Sequence, residues 1–210
     1  MDNYKTILTP AEAGFTEKRS GFVGIAMRAQ DEAQIRAALG EAARTYPEAS
    51  HHAYAYALRS ENRARFSDGG EPASTAGKPI LDVISKRGLA DVLVIVVRYF
   101  GGIKLGAGGL TRAYARAAAL ALDAAGEAAC GLFYEAECVC SYSDYEKFAR
   151  AAAGYGVITD KTSYGEAITV NFALRAEYYE EFAEKLKNIT NGEAKISKTG
   201  ERFEIFNDNK

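Results

Sequence analysis

Two short stretches of the chain hold most of the side chains that could do chemistry together. In the first, five glycines fall within nine residues, Gly101, Gly102, Gly106, Gly108 and Gly109, with Lys104 among them and Arg112 and Arg116 just beyond. Such glycine density belongs to a backbone that takes positive φ or approaches something closely. The cations sit where a helix should begin, an end that already carries partial positive charge, so their placement is unfavourable by about 0.3 kcal/mol or more. The arrangement suits an anion held by loop N–H groups and basic side chains, as helix N-termini hold phosphates. A carboxylate of the same chain, Asp68 or Glu71, could neutralise the cluster equally well, or the side chains could extend into water.

The second stretch, residues 66–78 (FSDGGEPASTAGK), breaks all periodicity and is dense in Gly, Ser, Thr and acidic groups. Structureless connections beyond about 12 residues are uncommon in compact domains unless they bind something. If the two stretches lie side by side, they form a polar, glycine-lined groove, which is a binding-site candidate even without a nucleophile.

Other chemistries fit less well. His51 and His52 are adjacent in a strand and face opposite ways, which keeps them from ligating one ion; neither a metal nor a cofactor is expected. Ser67, Ser74 or Thr75 can be drawn into a triad with a histidine and Asp68, yet no G-x-S-x-G spacing is present and no catalytic residue is assigned. Cys138 and Cys140 do not make a C-x-x-C pair, and with Cys130 they read as reduced thiols filling a core. The run GGIKLGAGGL matches neither the phosphate-loop nor the dinucleotide fingerprint.

A rigid frame has to position these loops. Residues 92–97 form an unbroken run of β-branched residues and leucine, read as a strand covered on both faces at the centre of a sheet. From about Gly109 the chain becomes an alanine-rich helix of about four turns that Gly126 caps. Upstream, residues 20–29 read as a strand, and Asp31 caps a helix that runs to about Tyr46 and stops before Pro47. Residues 51–58 alternate as a strand with a large face (His52, Tyr54, Tyr56, Leu58) and a small one. Pro79 at a first helical position opens a short helix ended by Gly88. After Gly131, strands at 132–141, 157–162, 167–174 and 194–206 and helices at 144–153 and 177–188 follow a β-α-β-β-α-β order. The expected fold class is α+β in two domains, residues 1–130 and 131–210.

Composition sets the broad limits. The 210 residues are 48% apolar, enough for a packed core, and the net charge of −2 argues against a general nucleic-acid binder. The distribution is uneven, since residues 59–116 hold 10 Lys and Arg against 5 Asp and Glu. No apolar run approaches the ~18 residues of a membrane span and no secretory leader is evident, so a cytoplasmic protein without membrane attachment is expected.

Residues 66–81 (FSDGGEPASTAGKPIL) together with residues 96–114 (VVRYFGGIKLGAGGLTRAY) resemble the signature of the YigZ/IMPACT family. The likeness runs from about Lys18 to the C-terminus. The chain departs from the usual pattern at Gly69 in D-D-G-E-P, at Ala73 and Ser74 in S-G-T-A-G, at Gly21 in S-R-F and at Ala53 in H-H-C. The resemblance implies a first domain like domain 2 of ribosomal protein S5 and a ferredoxin-like second domain similar to one in translational elongation factors. It also implies RNA, the ribosome or a translation-regulatory protein as partner. The leading expectation is therefore a non-catalytic, translation-associated protein that binds RNA through Lys78, Arg98, Lys104, Arg112 and Arg116. Asp68, Glu71 and Thr75 belong to the same groove, with Gly101, Gly102, Gly106, Gly108 and Gly109 shaping it. The competing expectation is an enzyme or ligand-binding protein for a phosphorylated small molecule or nucleotide, with Glu71 or Asp68 as general base.

Overall fold

A computed structural model of the chain describes residues 3–60 and 62–206. It divides into two units, Tyr4–Ala129 and Cys130–Phe206 with Asn3, each having a core of its own. In chain order the first unit contains β1 (Tyr4–Ile7), β2 (Ala11–Glu17), β3 (Ser20–Arg28), α1 (Glu32–Thr45), β4 (His51–Leu58), β5 (Arg63–Ser67), α2 (Gly77–Arg87), β6 (Val92–Tyr99) and α3 (Ala107–Ala125). β7 (Glu127–Cys140) leads into the second unit, which continues with α4 (Tyr142–Ala153), β8 (Ile158–Tyr164), β9 (Ile168–Arg175), α5 (Tyr179–Ile189) and β10 (Lys195–Phe206). The chain is thus α+β.

The apolar run of β6 is the middle of the sheet β2-β3-β6-β4-β5, in which every pairing is antiparallel. Period-two alternation divides its side chains between two cores. Val92, Val94 and Val96 join Phe22, Ala26, Ala53 and Ala55 against α2 and α3, while Leu93, Ile95 and Val97 join Tyr56 and Leu58 against α1. The small residues on the first face allow α3 to approach closely. A Cβ on Gly24 of β3 would lie 2.3 Å from the Ala117 carbonyl oxygen, so only glycine fits this crossing. The caps agree with the sequence: Asp31 accepts from the Gln34 N–H, Gly88 takes the left-handed conformation after α2, and Gly126 ends α3.

Several boundaries differ from the sequence expectations. α3 begins at Ala107 and has 19 residues, more than the expected four turns, because Gly108 and Gly109 are inside the helix. Phe66 and Ser67 belong to β5, where they pair with Ala55 and Tyr54, so the polar loop shrinks to residues 68–76. Pro79 is the third residue of α2. β1, β2 and β5 were not anticipated.

In the second unit the strand order β10-β7-β9-β8 places the four strands of the β-α-β-β-α-β sequence in the ferredoxin-like arrangement. Its core comes from Ala136, Cys138, Val170 and Phe172 on the sheet with Phe148, Phe182 and Leu186 on the helices. All three cysteines are free and buried. Ser141 caps α4 by accepting from the Asp144 N–H, and a 3-10 turn at Ala176–Tyr178 precedes α5.

Candidate functional site

The polar loop is organised by Asp68, which turns inward. α2 has no side-chain cap from its own N-cap residue, Ala76. Asp68 supplies one from a distance, accepting from Gly77 N at 2.8 Å, Ala76 N at 3.0 Å and Ser74 N at 2.8 Å. A carboxylate at this end also complements the helix dipole. Burial alone would raise its pKa, but the three N–H donors outweigh that and hold Asp68 below the usual carboxylate value. Thr75 is buried, its hydroxyl donating to the Pro72 carbonyl at 2.7 Å. Gly69 has φ +57°, and a Cβ there would lie 2.2 Å from the His52 carbonyl oxygen, so the loop is pressed onto β4.

Glu71 then reaches beneath the surface to the end of β6. Its Oε1 accepts from Arg98 Nη1 at 2.6 Å and from the Tyr114 hydroxyl of α3 at 2.7 Å. The two charged side chains are only 3% and 4% exposed. Arg98 also donates from Nη2 to the Ser20 hydroxyl at 3.3 Å, while its Nε is buried without a partner. Its guanidinium lies between the rings of Phe22 and Phe100, 5.5 and 5.4 Å from their centroids. His51 donates from Nδ1 to the Gly69 carbonyl at 3.1 Å, since a carbonyl can only accept, and presents Nε2 3.8 Å from Glu71. Burial and then the bond to Glu71 push the Tyr114 pKa far up.

This network corrects two expectations. Arg98 was expected at the RNA contact because it lies at the glycine-loop end of β6, but alternation turns it inward on the Val92, Val94, Val96 face. Glu71 and Asp68 were the alternative counterions for the basic cluster and the general bases of the metabolite reading, yet both carboxylates are committed to other partners.

The glycine loop takes a shape that few residues could adopt. A Cβ on Gly101 would be 2.1 Å from the Arg19 carbonyl group, and Gly102 and Gly106 have φ of +83° and +73°. Gly108 lies by Arg112 and Gly109 packs on Leu105. Lys104, Arg112 and Arg116 are exposed and, among the described residues, form no ion pair. Arg116 instead covers the Phe15 ring, 4.3 Å from its centroid. A groove of about 310 Å³ runs here, lined by Phe15, Glu17, Lys18, Leu105, Gly109, Arg112, Ala113 and Arg116. Three cations therefore face one carboxylate. Lys78 lies elsewhere on α2, paired with Asp82.

The sequence reading missed Lys18 and Arg19. They form the two-residue turn between β2 and β3, closed by the pair Glu17 and Ser20, with φ of +45° and +66°. A type I′ hairpin needs positive φ at both central residues and normally takes Asn-Gly. The signal available in the sequence was the alternation of residues 11–15 before this Lys-Arg pair and the apolar run of residues 22–27 after it.

The first unit thus carries, on an antiparallel sheet, a groove lined by three cations beside a glycine-rich loop and a buried Glu–Arg–Tyr network. Residues 18–122 match the family model described as the Impact N-terminal domain, and residues 138–193 match a domain of unknown function. The chain belongs to the IMPACT family. A Thermus thermophilus IMPACT family member is 51% identical over 53% of this chain and 59% of its own length. The Bacillus subtilis member YvyE is 29% identical over 96% and 93%, and the Escherichia coli member YigZ 37% over 46% and 49%. A crystal structure of a hypothetical protein covers 95% of the chain and 98% of its own, with a TM-score of 0.64 and 26% identity.

Proposed function

We propose that the chain is a translation-associated binding protein without catalytic activity, meeting RNA or a ribonucleoprotein through Lys18, Lys104, Arg112 and Arg116. The observation that carries this reading is that Lys18, Arg112 and Arg116 line one groove and Lys104 precedes the N-terminus of α3, all exposed and, among the described residues, without an ion pair. Three cations facing a single carboxylate, Glu17, leave an excess of positive charge that favours an anionic ligand, and sparse base contacts with several phosphate contacts are what such a surface supplies. Translation association is the part that rests on family membership. Affinity for RNA should fall linearly in log–log form with salt, by about 0.7 per phosphate contact for a single strand. Arg112→Ala combined with Arg116→Ala should weaken binding and flatten that slope. No binding by the wild-type chain at low salt, or an unchanged slope in the double variant, would refute the reading.

The groove volume of about 310 Å³ favours one second reading, a phosphorylated small molecule, because small-ligand sites start at about 300 Å³. A thermal-shift screen of phosphorylated metabolites discriminates, since a ligand at 100 times its Kd adds about 2.7 kcal/mol of stability.

A further inference from the structure

Phe100 is the residue whose placement the site described so far leaves without a purpose. Its ring is 48% exposed at the end of β6, beside the glycine loop. A single exposed apolar side chain is ordinary, but the backbone of this one is pinned and a buried guanidinium lies over its ring. Its N–H donates to the Ser50 hydroxyl at 3.1 Å, and the next N–H, that of Gly101, donates to the Ser20 hydroxyl at 3.2 Å. Gly101 in turn abuts the Arg19 backbone too closely for any side chain. Behind the ring stands Arg98, buried and fixed by Glu71 and Ser20. The ring therefore rests its inner face on a cation and turns its outer face to solvent.

The surroundings say what that outer face is suited to. Gly101 touches the Lys18–Arg19 turn, and Lys18 lines the cationic groove with Leu105, Gly109, Arg112 and Arg116. One surface therefore offers an aromatic face at one end and, at the other, cations that form no ion pair among the described residues. Non-specific recognition of single strands uses those two components, a positively charged track for the backbone and aromatic faces for the bases. A duplex keeps its bases stacked internally and has nothing to offer the ring.

We infer that Phe100 is a base-stacking platform and that the site takes a single-stranded nucleic acid whose sugar–phosphate backbone crosses the groove of Lys18, Arg112 and Arg116. This rests on the nucleic-acid reading of that groove and adds the strandedness of the ligand and the residue that senses it. The cation behind the ring draws electron density from it, which favours an electron-rich purine on the exposed face.

The chain contains no tryptophan, so Phe100→Trp introduces a single reporter at the ring position. The test uses the full chain, a 12-nucleotide oligoadenylate and an abasic sugar–phosphate oligomer of the same length. Oligoadenylate should quench the fluorescence of Phe100→Trp, and the abasic oligomer should not. Phe100→Ala should lower affinity for oligoadenylate by roughly 5- to 150-fold, the factor for one stacked base, and leave the abasic affinity and the salt slope unchanged. The exposed ring can be removed without emptying a core, and circular dichroism of the variant checks that it folds. Equal loss for both oligomers, no loss for either, or unquenched fluorescence, as expected of a ring that serves a protein partner, would overturn the inference. If Arg112→Ala still weakens binding in those cases, the groove reading stands without the stacking. If the wild-type chain binds neither oligomer, the groove reading itself fails.

Discussion

Removing the Glu71 carboxylate should be among the costliest single changes in the first unit. In Glu71→Ala the Arg98 guanidinium, 4% exposed, loses its counterion, and the Tyr114 hydroxyl loses its acceptor. An uncompensated buried charge of this kind costs about 3–5 kcal/mol. By contrast, Arg44 and Glu41 on α1 are 72% and 68% exposed, and Glu41→Ala should leave the urea midpoint close to that of the wild type. Replacing both buried partners, as Glu71→Leu with Arg98→Met, removes the charge together with its counterion and should recover most of the loss, because an apolar pair of similar volume avoids the desolvation penalty. Urea unfolding of the full chain followed by circular dichroism measures all four proteins, with the m-value checking that the unfolding transition is the same. A loss below about 1 kcal/mol in Glu71→Ala, or a double variant as unstable as the single one, would refute the argument that the pair is a buried, mutually dependent unit.

Three further outcomes follow from the same geometry. Lys18→Asn with Arg19→Gly should stabilise the chain by about 1–2 kcal/mol, by placing residues that tolerate positive φ in the hairpin turn, and should weaken RNA binding at the same time; thermal unfolding and salt-dependent anisotropy read the two effects, and a neutral change in both would count against the turn's role. Gly101→Ala should cost more than Gly102→Ala, because its Cβ would meet the Arg19 backbone at 2.1 Å while Gly102 faces open space and suffers only the φ strain of about 1–2 kcal/mol; equal melting temperatures would contradict this. The folded-state pKa of Asp68 is depressed, so its stabilising contribution is present above the unfolded value of about 3.9 and is lost as pH falls through the lower folded value. In amide exchange followed down that range, Ser74, Ala76 and Gly77 should lose protection, and in Asp68→Asn that acid-dependent loss should be absent.

Much of the frame could be read from local pattern, for physical reasons. β6 is a continuous apolar run because both of its faces are covered, and β4 alternates large and small because its two faces meet different helices, α1 on one side and α2 with α3 on the other. Asp31, Gly88 and Gly126 announced helix ends because capping is a short-range hydrogen-bond and dihedral requirement. β1 and β5 escaped notice because, at 4 and 5 residues, they are too short to show a period and are fixed by their partners, whereas the alternation of β2 was legible.

Within the site, local pattern was enough to show which residue types were available: glycines where the backbone turns or is crowded, cations at the start of α3, and carboxylates in the loop before α2. Which of them face a ligand was decided by tertiary structure alone. Arg98 and Lys104 are both basic residues flanking the same glycine turn, yet strand alternation buries one against Glu71 and Tyr114 while loop conformation leaves the other in solvent. Lys18 and Arg112 are 94 positions apart in the chain and line one groove only because β2 and β3 pack against α3. Charge, glycine content and periodicity are properties of neighbours along the chain, whereas counterion pairing and exposure depend on neighbours in space, which only the packed fold supplies.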